Sequence, residues 1–114
     1  MKRILYASGD FLTHDTVADA LMEYAGVLAI IDSADVISIP GIDQDGEVRE
    51  IRMLIGPASQ IVSMSTDEPE VALDAEAAVA ELHDRSERRL PSSIQVGAAG
   101  NAQAESDAES ASNP

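Results

Sequence analysis

Cysteine is absent from this chain of 114 residues. Its absence excludes disulfides, thiolate nucleophiles and cysteine-ligated zinc. Basic residues are scarce: seven lysines and arginines stand against 21 aspartates and glutamates, for a net charge of −14. Residues 1–85 alone hold five basic and seventeen acidic side chains, a net −12, so the acidity belongs to the folding part of the chain. An acidic domain repels phosphate backbones, and nucleic-acid binders carry basic patches. The basic cluster Arg85, Arg88 and Arg89 is interleaved with Glu87 and is too small for tight duplex binding. No nucleic-acid partner is expected, and the same charge argues against docking on anionic membranes. Long hydrophobic runs are missing too. The apolar stretch near the N-terminus stops after about four residues, where a signal peptide needs roughly 7–15. Ala25 to Ile31 falls far short of the ~20 residues that span a bilayer. The expected compartment is the cytoplasm.

The residues present predict a small α+β domain over residues 1–85, followed by an acidic, Ala- and Ser-rich tail over 86–114. From about Ser92 the chain reads SSIQVGAAGNAQAESDAESASNP, where Ile94 and Val96 are the large apolar residues. Such a segment cannot bury enough surface to offset its conformational entropy, so disorder is expected. The remaining residues suffice for one domain of marginal size.

Arg3 to Ala7 is a short apolar run that favours a strand. Ser8-Gly9-Asp10 is turn chemistry, and Phe11 and Leu12 can pair back as a second short strand. Val17, Leu21, Tyr24, Leu28 and Ile31 then recur at helical spacing, with Thr13 or Asp15 as the cap. This predicts a helix ending near Ile31. Gly26 inside the pattern either marks a close packing contact or ends the helix early, in which case Val27 to Ile31 starts a strand.

Asp35 to Ile39 reads as a strand closed by Pro40-Gly41. Asp43-Gln44-Asp45-Gly46 is a hairpin signal, because Asp-Gly supplies positive φ. Glu47 to Ile55 alternates as a half-buried strand. After the break at Gly56-Pro57-Ala58-Ser59, Gln60 to Ser65 is another strand. A second helix is expected over roughly Glu70 to Asp84, with Val71, Ala75, Ala78, Val79 and Leu82 as its stripe. The order is β-β-α-β-β-β-α. Short connections predict antiparallel pairing among the last three strands, hence a mostly antiparallel sheet with helices on one face.

Candidate chemistry fails on spacing. Asp43, Asp45 and Glu47 suggest a calcium loop, but with Gly46 as the loop glycine the first and twelfth positions are Gly41 and Arg52, not oxygen ligands. A solvated hairpin turn explains them better. His14 and His83, the two histidines, lie too far apart for a helical metal pair. Ser8-Gly9-Asp10 lacks the G-x-S-x-G nucleophile setting, and Gly9 belongs to no phosphate-binding loop. No catalytic, cofactor-binding or metal residue is assigned, and no cofactor is implied.

Ile4-Leu5-Tyr6-Ala7-Ser8-Gly9, Val17-Ala18-Asp19-Ala20-Leu21, the run Leu54 to Ile61 and the segment Pro69 to Leu82 resemble a family of short uncharacterised actinobacterial proteins, over about residues 3–83. Where that family has a basic segment after the first helix, this chain has Ile30-Ile31-Asp32-Ser33, and the family's aromatic residues in the last strands are missing. The resemblance implies no activity, so no catalytic residue is carried over. Some relatives bear the label ATP-dependent DNA ligase. That chemistry needs a lysine in a KxDG setting, and the sole lysine here, Lys2, is followed by Arg3-Ile4-Leu5.

Two functional readings follow. The first is a non-catalytic module that binds a protein partner or itself, because a sheet of few strands leaves edges to be covered or paired. The second is a small enzyme or ligand-binding protein using carboxylates and His14.

Overall fold

The computed structural model describes residues 1–90. Seven elements follow the expected order: β1 (Lys2–Tyr6), β2 (Gly9–Thr13), α1 (Asp15–Ile30), β3 (Asp35–Ile42), β4 (Val48–Ile55), β5 (Ile61–Ser65) and α2 (Ala75–Arg89). The strands form one antiparallel sheet in the order β4-β3-β2-β1-β5. The α+β class with its antiparallel sheet is as the patterning indicates. Among the described residues no helix is long and apolar enough to cross a membrane.

Alternation along the strands places Ile4, Phe11, Ile37, Ile39, Met53 and Ile55 on one face. There they form a single buried cluster with Val17, Leu21, Tyr24 and Leu28 of α1 and with Ala78 and Leu82 of α2. α1 runs through Gly26, which is exposed, and a Cβ built there would meet nothing within 4 Å. Gly26 is therefore neither a packing contact nor a stop. The stop lies six residues on. Asp32 takes φ 54°, its N–H reaches the Ala29 carbonyl at 3.4 Å, and Ser33 N–H reaches the Leu28 carbonyl at 3.0 Å. This is the Schellman arrangement that satisfies the last carbonyls of a helix. At the other end the N-cap residue is His14, not Thr13 or Asp15. The Thr13 hydroxyl is spent elsewhere: it donates to the Pro40 carbonyl at 2.8 Å.

Four expectations of element placement are corrected. First, β3 does not end before Pro40-Gly41 but continues to Ile42. The backbone groups of Pro40 point away from β4, so its missing N–H breaks no bond of that ladder. Gly41 sits where a Cβ would come within 2.8 Å of Ile51 Cδ1 and 2.9 Å of Phe11 Cδ2, so glycine lets those two side chains pack over it. Second, the last three strands are not a meander. β4 pairs with β3 in register from Asp35↔Ile55 to Ile42↔Val48, whereas β5 crosses to pair with β1. In a flat sheet β1 and β4 stand three strand spacings apart, roughly 14 Å. Yet the Tyr6 hydroxyl of β1 donates to the Leu54 carbonyl of β4. The sheet must therefore curl around α1, which lets residues 56–60 bridge its two edges. Third, α2 begins at Ala75 and not near Glu70. Residues 70 and 71 instead belong to a strap outside the helix held by His14, whose Nε2 donates to the Val71 carbonyl at 2.5 Å. Fourth, α2 runs on to Arg89, past the end expected near Asp84. Ser86 is buried there, and Arg85 and Arg89 reach back to Asp35. The tail expected beyond lies, from residue 91, outside the described residues.

Candidate functional site

The outward side of the sheet is the part of the surface that packing leaves unexplained. Hairpin geometry defines it. Asp43 N–H donates to the Glu47 carbonyl at 2.9 Å. The alternation of bonded and non-bonded pairs in an antiparallel ladder then turns the N–H and C=O groups of the even-numbered residues of β3 and β4 away from each other. Even-numbered side chains share the outward face. On β3 the outward-turned groups are largely taken: the Val36 carbonyl accepts Arg85 Nη1 at 2.9 Å and the Pro40 carbonyl accepts Thr13. β4 has no strand beyond it. Along this edge the outward-turned backbone groups of Val48, Glu50 and Arg52 face no neighbouring strand, and the Leu54 carbonyl accepts the Tyr6 hydroxyl.

The outward face carries exposed apolar side chains at three places. Val36 and Leu54 are a cross-strand pair at one end of the hairpin, exposed by 44 and 60%, and Val48, at 56%, is at the other end. Val62 and Met64 stand on β5, at 51 and 49%. Ser38, Glu50 and Arg52 lie between Leu54 and Val48, where the Ser38 hydroxyl donates to the Glu50 carboxylate. Arg52 is singular. Lys2, Arg3, Arg49, Arg85, Arg88 and Arg89 each have a carboxylate within 4 Å. Among the described residues Arg52 has none, in a chain with three times as many acids as bases.

The densest polar cluster lies at the opposite end of the hairpin. Asp35 Oδ2 accepts the Tyr24 hydroxyl at 2.5 Å and Arg85 Nη1 at 2.8 Å, and Arg89 Nη2 stands 3.6 Å away. Arg85 also reaches Glu81 at 2.7 Å, and Arg89 donates to the Ser33 hydroxyl at 3.2 Å. Burial pushes the Tyr24 phenol up to about 12, helped by its hydrogen bond to the Asp35 carboxylate. Burial alone would raise Asp35, but the hydrogen bonds from Tyr24 and Arg85 outweigh it and hold the carboxyl below its usual range. The cations are thus matched by carboxylates. This cluster clamps the C-terminal half of α2 to α1 and β3, and its chemistry is that of a structural tie.

A groove of about 470 Å³ separates the first turns of α2 from the hairpin, lined by Ser38, Pro40, Val48, Glu50, Asp74 and Ala77 among others. Its hairpin wall is shared by β3 (Ser38, Ile39, Pro40) and the start of β4 (Val48, Arg49, Glu50), while Arg52 and Leu54 further along β4 are not part of it.

The residues singled out in the sequence take structural roles. His14 Nε2 is bound to Val71 and its Nδ1 stands 3.6 Å from Glu70, while His83 faces Glu23 at 3.6 Å, so the two histidines have different partners. The Asp43 carboxylate accepts the N–H groups of Asp45 and Glu47 at 2.9 and 3.0 Å and Arg49 Nε at 2.9 Å. It closes the hairpin, with Gly46 at φ +82°. Among the described residues no group of three or more His, Asp or Glu is placed to hold a metal ion. Ala7 and Ser8 form the tight turn between β1 and β2, whose register runs from Lys2↔Thr13 to Tyr6↔Gly9. Gly56 N–H donates to the Ser59 hydroxyl at 2.9 Å, which closes the turn that carries the chain from β4 towards β5. The open β4 edge was missed at the sequence level. Its signal, an arginine and a glutamate two residues apart on one strand face, is too common to single out without the pairing. No family model, curated protein or solved structure matches this chain.

Proposed function

We propose that this chain is a non-catalytic interaction module that binds a protein, either a partner or a second copy of itself, through the outward side of its sheet. The observation that carries this reading is the set of exposed apolar side chains on the outward side of the sheet: the Val36–Leu54 pair and Val48 on the hairpin, and Val62 with Met64 on β5. Exposed apolar side chains beside a strand edge without a neighbouring strand are features of interaction surfaces. The acidity of the domain favours a protein over a nucleic acid as the ligand. His14 carries no reaction in this reading: its ring holds the strap that leads into α2.

The test is the mass of the full chain in solution, by light scattering at micromolar concentration, alongside pull-down of proteins from cell extract. Self-association or reproducible capture of a protein, lost in a Leu54→Ser/Val62→Ser variant that stays folded, is the expected result. A clean monomer that retains nothing removes the reading.

A further inference from the structure

We infer that the partner is a second copy of this chain, joined by two-fold antiparallel pairing of β4 with β4 in the register that sets Glu50 of one copy opposite Arg52 of the other. The inference rests on the interaction reading above and gives it a partner and a geometry.

The free backbone groups of β4 set which registers are open. The odd-numbered residues of β4 spend their N–H and C=O groups on β3. Those of Val48, Glu50, Arg52 and Leu54 face outward. An incoming antiparallel strand must therefore bond to even-numbered residues. If that strand is β4 of an identical chain related by a two-fold axis, the allowed registers differ by steps of two residues. Of the four that pair five or more residues of β4, the one with its axis at Met53 sets Arg52 against Leu54 and leaves Arg52 without a carboxylate; three remain. One sets Glu50 against Glu50 and another sets Arg52 against Arg52; like charges directly opposite each other are destabilising. The third puts the axis at Ile51. There Glu50 meets Arg52 twice, once on each side of the axis, and Val48 meets Leu54.

Each feature left over in the single chain finds a partner in this arrangement. Arg52, without a carboxylate among the described residues, gains the Glu50 carboxylate of the second copy. Glu50 already accepts the Ser38 hydroxyl, and a carboxylate has lone pairs to spare for a guanidinium. Val48 and Leu54, each more than half exposed, cover one another. Each Glu50–Arg52 pair exchanges both backbone hydrogen bonds. At the outer pair the Leu54 carbonyl keeps a second lone pair beside the Tyr6 hydroxyl. The two sheets become one, and the contact is isologous, so it closes at the dimer instead of growing into a filament. A heterologous partner strand could supply the hydrogen bonds, but nothing would require it to carry an acid and a base two residues apart in this order.

Sedimentation equilibrium of the full chain tests this with two charge variants. Arg52→Glu leaves two acids on the edge and Glu50→Arg leaves two bases; both positions are exposed, and circular dichroism checks that each variant is folded. The wild type is expected to dimerise reversibly. Each variant alone should dissociate at least about tenfold more readily, since every central pair becomes like-charged. An equimolar mixture of the two variants should associate again as a heterodimer, because the all-acid edge then faces the all-base edge. Three results overturn the inference. If Arg52→Glu dimerises as well as the wild type, or if the mixture stays monomeric, the pairing is wrong while the interaction reading stands. If the wild type is monomeric but captures another protein, the second copy is wrong and the reading again stands. If it is monomeric and captures nothing, both fall.

Discussion

The two faces of the sheet are built from alternate residues of the same strands, and they differ in what covers them. On β3, Ile37 and Ile39 are buried under the helices, while Val36 beside them lies open; on β4, Met53 and Ile55 are buried and Leu54 between them is 60% exposed. Both faces hold large aliphatic side chains. What separates them is the supply of helices. α1 fills the concave side, and α2 packs on α1 and β3 through Ala78, Leu82 and the Asp35–Arg85 tie. On the other side the first turns of α2 face Ser38, Pro40, Val48 and Glu50 across a groove, and Val36, Leu54, Val62 and Met64 stay exposed. Hydrophobicity alone therefore does not identify a core: the same pattern on the uncovered face reads as an interaction surface.

The predictions probe that contrast, beginning with the largest effect. Ile39→Ala, on the covered face at 1% exposure, should lower unfolding free energy by about 2–5 kcal/mol, from lost transfer energy and the cavity left behind. Urea denaturation of dilute protein measures it, and a loss comparable to that of the Leu54 change below would erase the distinction between the faces. Arg85→Ala should cost about 1–3 kcal/mol, because it strips Asp35 of its closest cation and frees the Val36 carbonyl. The value stays below that of a fully buried pair because both side chains keep some solvent contact.

Tyr24 and Asp35 give this tie a pH dependence at both ends. The phenol of Tyr24 is raised from 10.0 to about 12, so its contribution is complete below pH 10 and is lost as pH climbs from there to about 12. The carboxyl of Asp35 is lowered from 3.8, so its contribution is present above that value and is lost as pH falls through the folded-state value beneath it. Urea midpoints across this range should show both losses. The alkaline loss should be absent from Tyr24→Phe, and its persistence there would assign it to another group. Gly26→Ala should add about 1 kcal/mol, since the helix passes through an open position; a loss would mean that the site is more crowded than it stands here. Smallest of all, Leu54→Ala in dilute protein should change stability by no more than about 0.5 kcal/mol.

Much of the architecture was legible. Helical spacing of Val17, Leu21, Tyr24 and Leu28 marked α1, and Asp45-Gly46 marked the β3–β4 hairpin, because both signals are local. The course of β5 was not. Residues 56–60 serve equally well as a tight connection or as a bridge across a curled sheet, and the choice falls to Tyr6, fifty residues away in sequence. Pro40-Gly41 looked like a terminator because those residues usually break strands. Here Gly41 is the gap into which Phe11 and Ile51 pack. The start of α2 was misplaced because Val71 fits the apolar stripe, although its carbonyl is held by His14. As for the candidate site, the expectation of an exposed sheet edge needed no structure. Its location did: β4 becomes the free edge once β5 has gone to β1, and only then do Glu50 and Arg52 acquire meaning.

Amide hydrogen exchange along β4, followed residue by residue over a range of protein concentration, tests the claim most directly. In dilute protein the amides of Ile51 and Met53, bonded to β3, should exchange slowly and those of Glu50 and Arg52 fast. As concentration rises into the range where the chain associates, Glu50 and Arg52 should become protected while Ile51 and Met53 change little. Exchange at Glu50 and Arg52 that stays fast at every concentration, in protein that is associating, would contradict the account.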